Sequence, residues 1–165
     1  MDKELIGEAI KSLELIDIHL YSTSIARFEE ISSDNYPEGM AQQNKISIKA
    51  EFLEREDDSD GSALIHAKVE FGLRFVEENE ESEINTLAEI EACFIVKYQQ
   101  LQEVSDEAIN EFMQFNVVHN AWPFWREHAF RSAAQAKLPT PMISLFKPAS
   151  ESNSIQETMA SIVNL

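Results

Sequence analysis

The stretch Asn120-Ala-Trp-Pro-Phe-Trp-Arg-Glu-His128 holds both tryptophans of the chain, Trp122 and Trp125, around Pro123. It lies late in a segment with helical spacing. Upstream, Ile109, Phe112, Met113, Asn116, Val117, Asn120 and Ala121 recur at three- and four-residue intervals and define one helix face. Ser105 is the expected N-cap, and Asp106 and Glu107 complement the helix dipole in the first turn. Pro123 has no N–H to donate, so the pattern predicts a bend or break near it. The alanine-rich run Phe124 to Lys137 resumes the helix until Leu138-Pro-Thr-Pro141 stops it. Two indoles can bury a large apolar area. The stretch therefore reads as the kink of the main helix and its anchor into the rest of the molecule.

Before this helix the period is two. Ile16, Ile18 and Leu20 alternate with Asp17, His19 and Tyr21, which predicts a strand of about twelve residues from Leu15. Lys45 to Leu53, Ala63 to Phe75 and Ile84 to Tyr98 alternate likewise. The clearest apolar face is Ile65, Ala67, Val69, Phe71, Leu73 and Phe75. The composition of Asp57-Asp-Ser-Asp-Gly61 reads as a hairpin turn, and the acidic run from Glu77 to Glu83 as a solvated connection. Connections this short make the last three strands antiparallel, because a parallel return needs a crossover of about a dozen residues or more. Residues 28 to 43 interrupt the pattern as a long loop, the kind that is often functional. The loop carries Phe28, Ile31, Tyr36 and Met40, four large apolar side chains.

The flanks are shorter. Leu5, Ile6, Ala9, Ile10 and Leu13 predict a helix over residues 2 to 12. After the main helix, Met142, Ile143, Leu145 and Phe146 form an extended apolar segment. The spacing of Ile155, Met159, Ile162 and Val163 predicts a short amphipathic helix over Ile155 to Leu165. Strands followed by helices make the fold class α+β. The expected architecture is a four-stranded antiparallel sheet followed by a long kinked helix and a short C-terminal helix. One domain is expected over residues 1 to 165, with 1 to 12 as an extension and 149 to 165 as a tail.

Composition narrows the function. Thirty acids against thirteen bases give a net charge of −17. Nucleic acid and anionic membranes repel such a chain, because binding either needs Lys and Arg to displace counterions. No run approaches the ~18 apolar residues of a membrane span. Residues 1 to 8 show no signal-peptide pattern. Cys93 is the one cysteine and forms no internal disulfide, which suits a reducing cytoplasm.

Catalytic patterns are not found. The four glycines make no phosphate loop, and no serine sits in a nucleophile elbow. His19, His66, His119 and His128 lack metal-ligand spacing. Asp57, Asp58, Asp60 and Gly61 lack the closing glutamate of a calcium loop. Arg126 and Glu127 read as a helix cross-link more readily than as a catalytic pair. Trp122, Phe124 and Trp125 read as core packing more readily than as a ligand cage. The protein is expected not to be an enzyme and to need no metal or cofactor. The alternative is a small-ligand-binding domain with a pocket between sheet and helix, near Trp122 and Trp125.

The chain resembles the SecB family of export chaperones. The resemblance is most specific at Trp122, Pro123, Phe124, Trp125, Arg126 and Glu127, which look like the family's aromatic-Pro-aromatic-x-Arg-Glu segment. It continues at Leu138-Pro-Thr-Pro-Met-Ile-Ser-Leu-Phe-Lys-Pro148 and spans roughly residues 13 to 148. Residues 1 to 12 are extra, and the family's longer terminal helix and tail are reduced here.

The resemblance implies a cytoplasmic, ATP-independent holdase for unfolded polypeptides. Its clients would be precursors delivered to the Sec translocation ATPase, or an antitoxin. It also implies a homotetramer, a dimer of dimers with sheets outside and long helices between. Clients would run in grooves lined by Phe28, Ile31, Tyr36, Met40, Phe146, Ile155 and Met159. Met and aromatic side chains suit promiscuous apolar contacts. A large negative charge keeps exposed apolar surface soluble.

Overall fold

The computed structural model describes residues 2–53, 63–79, 82–146 and 163–164. Helix α1 (Lys3–Ser12) precedes strands β1 (Leu13–Arg27), β2 (Ala41–Leu53), β3 (Leu64–Glu78) and β4 (Ile84–Gln100). Helix α2 (Asp106–Phe112) runs through a π turn (Met113–Val117) into α3 (Val118–Gln135), and β5 (Val163–Asn164) ends the described chain. The sheet order is β1-β4-β3-β2-β5. The architecture is α+β, with antiparallel strands followed by helices, as the alternating periods predict.

Two local readings change. The helix does not end at Pro123, because α3 runs through it. A π turn upstream, at Met113–Val117, inserts an extra residue into the ladder. Val163–Asn164 pairs as a strand, not as the end of a helix. A helix of about eleven residues is marginal in water, whereas a free sheet edge offers ready backbone partners. The turn at Asp57 to Gly61 and most of the tail helix reading lie outside the described residues.

The chain forms two compact units. The first comprises Met1–Tyr21, Ser47–Val69 and Cys93–Trp122. In it Asp2 caps α1 by accepting from the N–H groups of Glu4 and Leu5. Glu8 accepts from Ser105 N at 2.8 Å, and Leu101 N donates to the Ser12 carbonyl, fastening α1 to the start of α2. Ser105 is the N-cap, accepting from Ala108 N. Ile109, Phe112, Met113, Val117 and Ala121 are buried, as the spacing predicts. Phe112 meets the Tyr98 ring edge-on at 5.1 Å. Asn120 Nδ2 donates to the Tyr98 hydroxyl at 2.9 Å, and burial pushes that phenol up to about 12.

The second unit comprises Ser22–Ile46, Glu70–Ala92 and Pro123–Leu165. Its core joins Phe71, Leu73 and Phe75 of β3, Ala88 and Ile90 of β4, and Trp125, Ala129 and Ala133 of α3, all buried. Each large apolar side chain buried in full contributes about 1.5–3 kcal/mol. The two alanines follow Trp125 at four-residue intervals, so the helix presents one bulky side chain and then a close-approach surface. On the other face, Lys45 and Glu91 pair at 3.3 Å across Gly72, which has no side chain to separate them.

The helix stops before the prolines. Lys137 takes φ 52, Leu138 N donates to the Ala133 carbonyl and Lys137 N to the Ala134 carbonyl. This is a Schellman cap with a lysine where glycine is usual, and Leu138 is buried against it.

Candidate functional site

The loop between β1 and β2 is pinned at both ends within the second unit. At its start, Phe28 N and Glu29 N both donate to the Leu87 carbonyl. Arg27 divides its guanidinium between the carbonyls of Ile31, at 2.7 Å, and Ala136. Ser33 N donates to the Lys137 carbonyl. A small turn closes between Ser32 and Asn35, and another between Pro37 and Met40. The first half of the loop is thus tied to the end of α3.

The segment after α3 is held on two sides. Gln42 is fully buried, and its carboxamide clasps Met142 twice: Oε1 accepts from Met142 N at 2.8 Å and Nε2 donates to Met142 O at 3.1 Å. The side chain serves Met142 as a neighbouring strand would. Arg126 Nε donates to the Ile143 carbonyl at 3.1 Å. The loop and the segment over residues 136–146 are therefore sewn together at Ile31 to Ser33 and again where β2 begins.

The loop's apolar residues separate into two pairs. Ile31 and Met40 are 4% and 1% exposed and close the core, whereas Phe28 and Tyr36 are 58% and 47% exposed. Met142 and Leu145 on the adjoining segment are also exposed. Phe146 is half-buried. Ile155 and Met159 lie outside the described residues. Within the aromatic motif, Trp125 is buried and stacks on Phe71 at 5.5 Å, with the rings 10° from parallel. Phe124 points outward, and Trp122 is half-buried. Arg126 lies 5.9 Å from the Phe130 ring centroid, and Glu127 pairs with Arg131 one turn on. Arg126 and Glu127 both act as cross-links.

Sequence reasoning missed Arg27 and Gln42. A lone cation immediately before a long loop was the available sign for Arg27. Gln42 had none, because a buried glutamine is recognisable only by its partners. His128, one of four histidines read as surface or hydrogen-bonded residues, is buried between β1 and its own helix: Thr23 Oγ1 lies 2.8 Å from Nε2 and Ser132 Oγ 3.3 Å from it. Thr23 also donates to the Glu91 carbonyl. Burial, reinforced by Arg131 and opposed by Glu127, holds the His128 pKa below the usual 6.5.

This has a consequence for stability. The folded state binds the proton less readily than the unfolded state, so the His128 contribution is intact above pH 6.5. It is lost as pH falls through 6.5 toward the lower folded value. A tenfold difference in proton affinity between the two states corresponds to about 1.4 kcal/mol. The urea midpoint is expected to drop between pH 7.5 and 5, and H128Q to flatten that drop. Equal slopes for both proteins would refute the assignment.

Among the described residues, no group of three or more His, Cys, Asp or Glu is placed to hold a metal ion. No described helix is long and apolar enough to cross a membrane. An open polar depression of about 580 Å³ lies beside α1, lined by residues such as Lys3, Glu8, Lys11 and Gln102.

No family model matches the chain, and no curated relative matches it by sequence. A solved structure does match in three dimensions: the Mycobacterium tuberculosis Rv1957 SecB-like chaperone in complex with a ChAD peptide from the Rv1956 HigA1 antitoxin. The match covers 90% of this chain and 100% of that one, with a TM-score of 0.69 at 13% identity. The chain has a SecB-like fold. At that identity the likeness concerns the path of the backbone, and the SecB-like fold is reached here with largely different side chains. The features that hold this version together are specific long-range contacts: Trp125 on Phe71, the Gln42 clasp and the Arg27 fork.

Proposed function

We propose that the protein is an ATP-independent holdase that binds unfolded polypeptide. The observation that carries this reading is the exposure of Phe28 and Tyr36 on a loop fastened to a segment that exposes Met142 and Leu145. Single exposed apolar residues are ordinary, but several large ones on adjoining segments suit an interaction surface. They are presented on pinned backbone, so little loop entropy is lost when a partner docks. The net charge of −17 keeps such a surface soluble and favours basic, unfolded partners.

Phe28 and Tyr36 are the proposed client contacts, with Ile31 and Met40 as anchors that hold the loop. Phe146 is proposed to extend the same surface, and Ile155 and Met159, which lie outside the described residues, are proposed client contacts on the sequence alone. The solved relative in fold was captured with an antitoxin peptide, which favours an antitoxin segment as client over a precursor bound for the Sec translocation ATPase. The working assembly is a cytoplasmic homotetramer, and the protein has no catalytic role.

The test is aggregation of chemically unfolded clients diluted into buffer without nucleotide. The expected result is suppression at one tetramer per client, weakened severalfold in F28S/Y36S. Unchanged aggregation of several different clients would overturn the proposal.

A further inference from the structure

Residues 163–164 sit where a client strand could sit. β5 adds to the outer edge of β2 in antiparallel register, with Ala41 opposite Asn164 and Gln42 opposite Val163. β2 runs on to Leu53, yet only its first two positions are paired on that side among the described residues. A strand edge of this kind is a template for another extended chain. The wall beside it is already built. Gln42 occupies its carboxamide with the backbone of Met142, which leaves the main chain of Gln42 to pair with β5. The adjoining segment carries Met142 and Leu145 with their side chains exposed. The occupant resembles a client in composition. After Glu157 the sequence Thr-Met-Ala-Ser-Ile-Val-Asn-Leu has no charged residue, in a chain that is 26% charged.

We infer that the β2 edge is a strand-addition site for extended, apolar client polypeptide, and that the chain's own Val163–Asn164 holds it as a replaceable occupant. This rests on the holdase reading and specifies part of its site. Main-chain hydrogen bonds supply affinity without demanding a sequence, which is what a chaperone of many clients needs. Alternate side chains of the client meet Met142 and Leu145. Tethering gives the short β5 a high effective concentration, but two paired residues make few hydrogen bonds. A client that pairs also with residues 43–46 displaces it.

The probe is a fluorescein-labelled ten-residue peptide of alternating Val and Thr with a lysine at each end. A second copy is N-methylated at alternate amides to remove the donors from one edge. The variant is V163P/N164P, since proline cannot supply a ladder N–H. Circular dichroism checks its fold. The plain peptide is expected to bind the variant about three- to tenfold more tightly than the unsubstituted chain, the gain set by the few bonds that β5 makes. The methylated peptide is expected to bind both at least tenfold more weakly. Deuterium uptake at residues 41–42 should rise in the variant without peptide.

Equal affinity of the two peptides overturns strand addition, and equal affinity of the two proteins overturns the role of β5. In either case the holdase reading stands if clients are still kept from aggregating. Failure to bind either peptide, with clients still kept from aggregating, overturns strand addition alone, and failure to suppress aggregation overturns both.

Discussion

Replacing Trp125 by alanine should cost about 3–5 kcal/mol, the usual range for removing a large aromatic from a packed core. For a chain of this length that lowers the melting temperature by roughly 10 °C or more, out of a total stability of about 5–15 kcal/mol. The site has little means of collapse. Trp125 is 2% exposed and lies flat on Phe71, with buried alanines at 121, 129 and 133 on the same helix face. Small side chains there cannot swing into the void, so the cavity persists. Phe124, its neighbour in sequence, is 46% exposed, and F124A should change stability by no more than about 0.5 kcal/mol. Thermal melts of the two variants decide the point. Equal losses, or a loss below a few degrees for W125A, would show that the indole is not the anchor of α3.

The contrast between Trp125 and Phe124 shows what was legible in the sequence. Period-two and period-3.6 patterns were enough to place the four main strands, and Ser105 was enough to start α2. Those signals come from burial of side chains against the chain's own core. Where a partner lies elsewhere, the pattern misleads. The alternation in β1 predicted a strand, which forms, but it did not show that Leu15, Ile16, Leu20, Tyr21 and Ile25 are all exposed. The π turn was not readable either, since an extra residue in a helical ladder has no compositional mark. A break was one expectation at Pro123, but α3 continues through it, and the π turn lies upstream at Met113–Val117. The candidate contacts were half legible. The loop was identified by its four apolar residues, but the division into anchors and exposed residues depends on Arg27, Gln42 and Ser33 bonding to distant backbone. Those bonds connect positions up to 109 apart in sequence, and no local pattern encodes them.

The exposed apolar residues of β1 lead to the second large effect, on assembly. β1 is fifteen residues long and forms the edge of the sheet opposite β5. Natural edges are blunted by lysine, proline, bulges or short length. β1 has no lysine and no proline, and in the first unit it exposes Leu15, Ile16, Leu20 and Tyr21. In the proposed tetramer, a second copy would match such an edge. Two antiparallel copies related by a two-fold axis pair their backbones and bury the same side chains twice. The double variant I16K/L20K would bring four ammonium groups into one such interface, where like charges facing across strands are destabilising. Light scattering should show the mass falling from four copies to two or fewer. Folding of the single chain should change by only about 0.5 kcal/mol, because both side chains are exposed within it. The substitutions also reduce the net negative charge, which by itself favours association. Dissociation would then be a local effect of the edge and not of overall repulsion. An unchanged mass would place the assembly surface elsewhere, and a monomeric unsubstituted chain would remove the assembly from the proposed function.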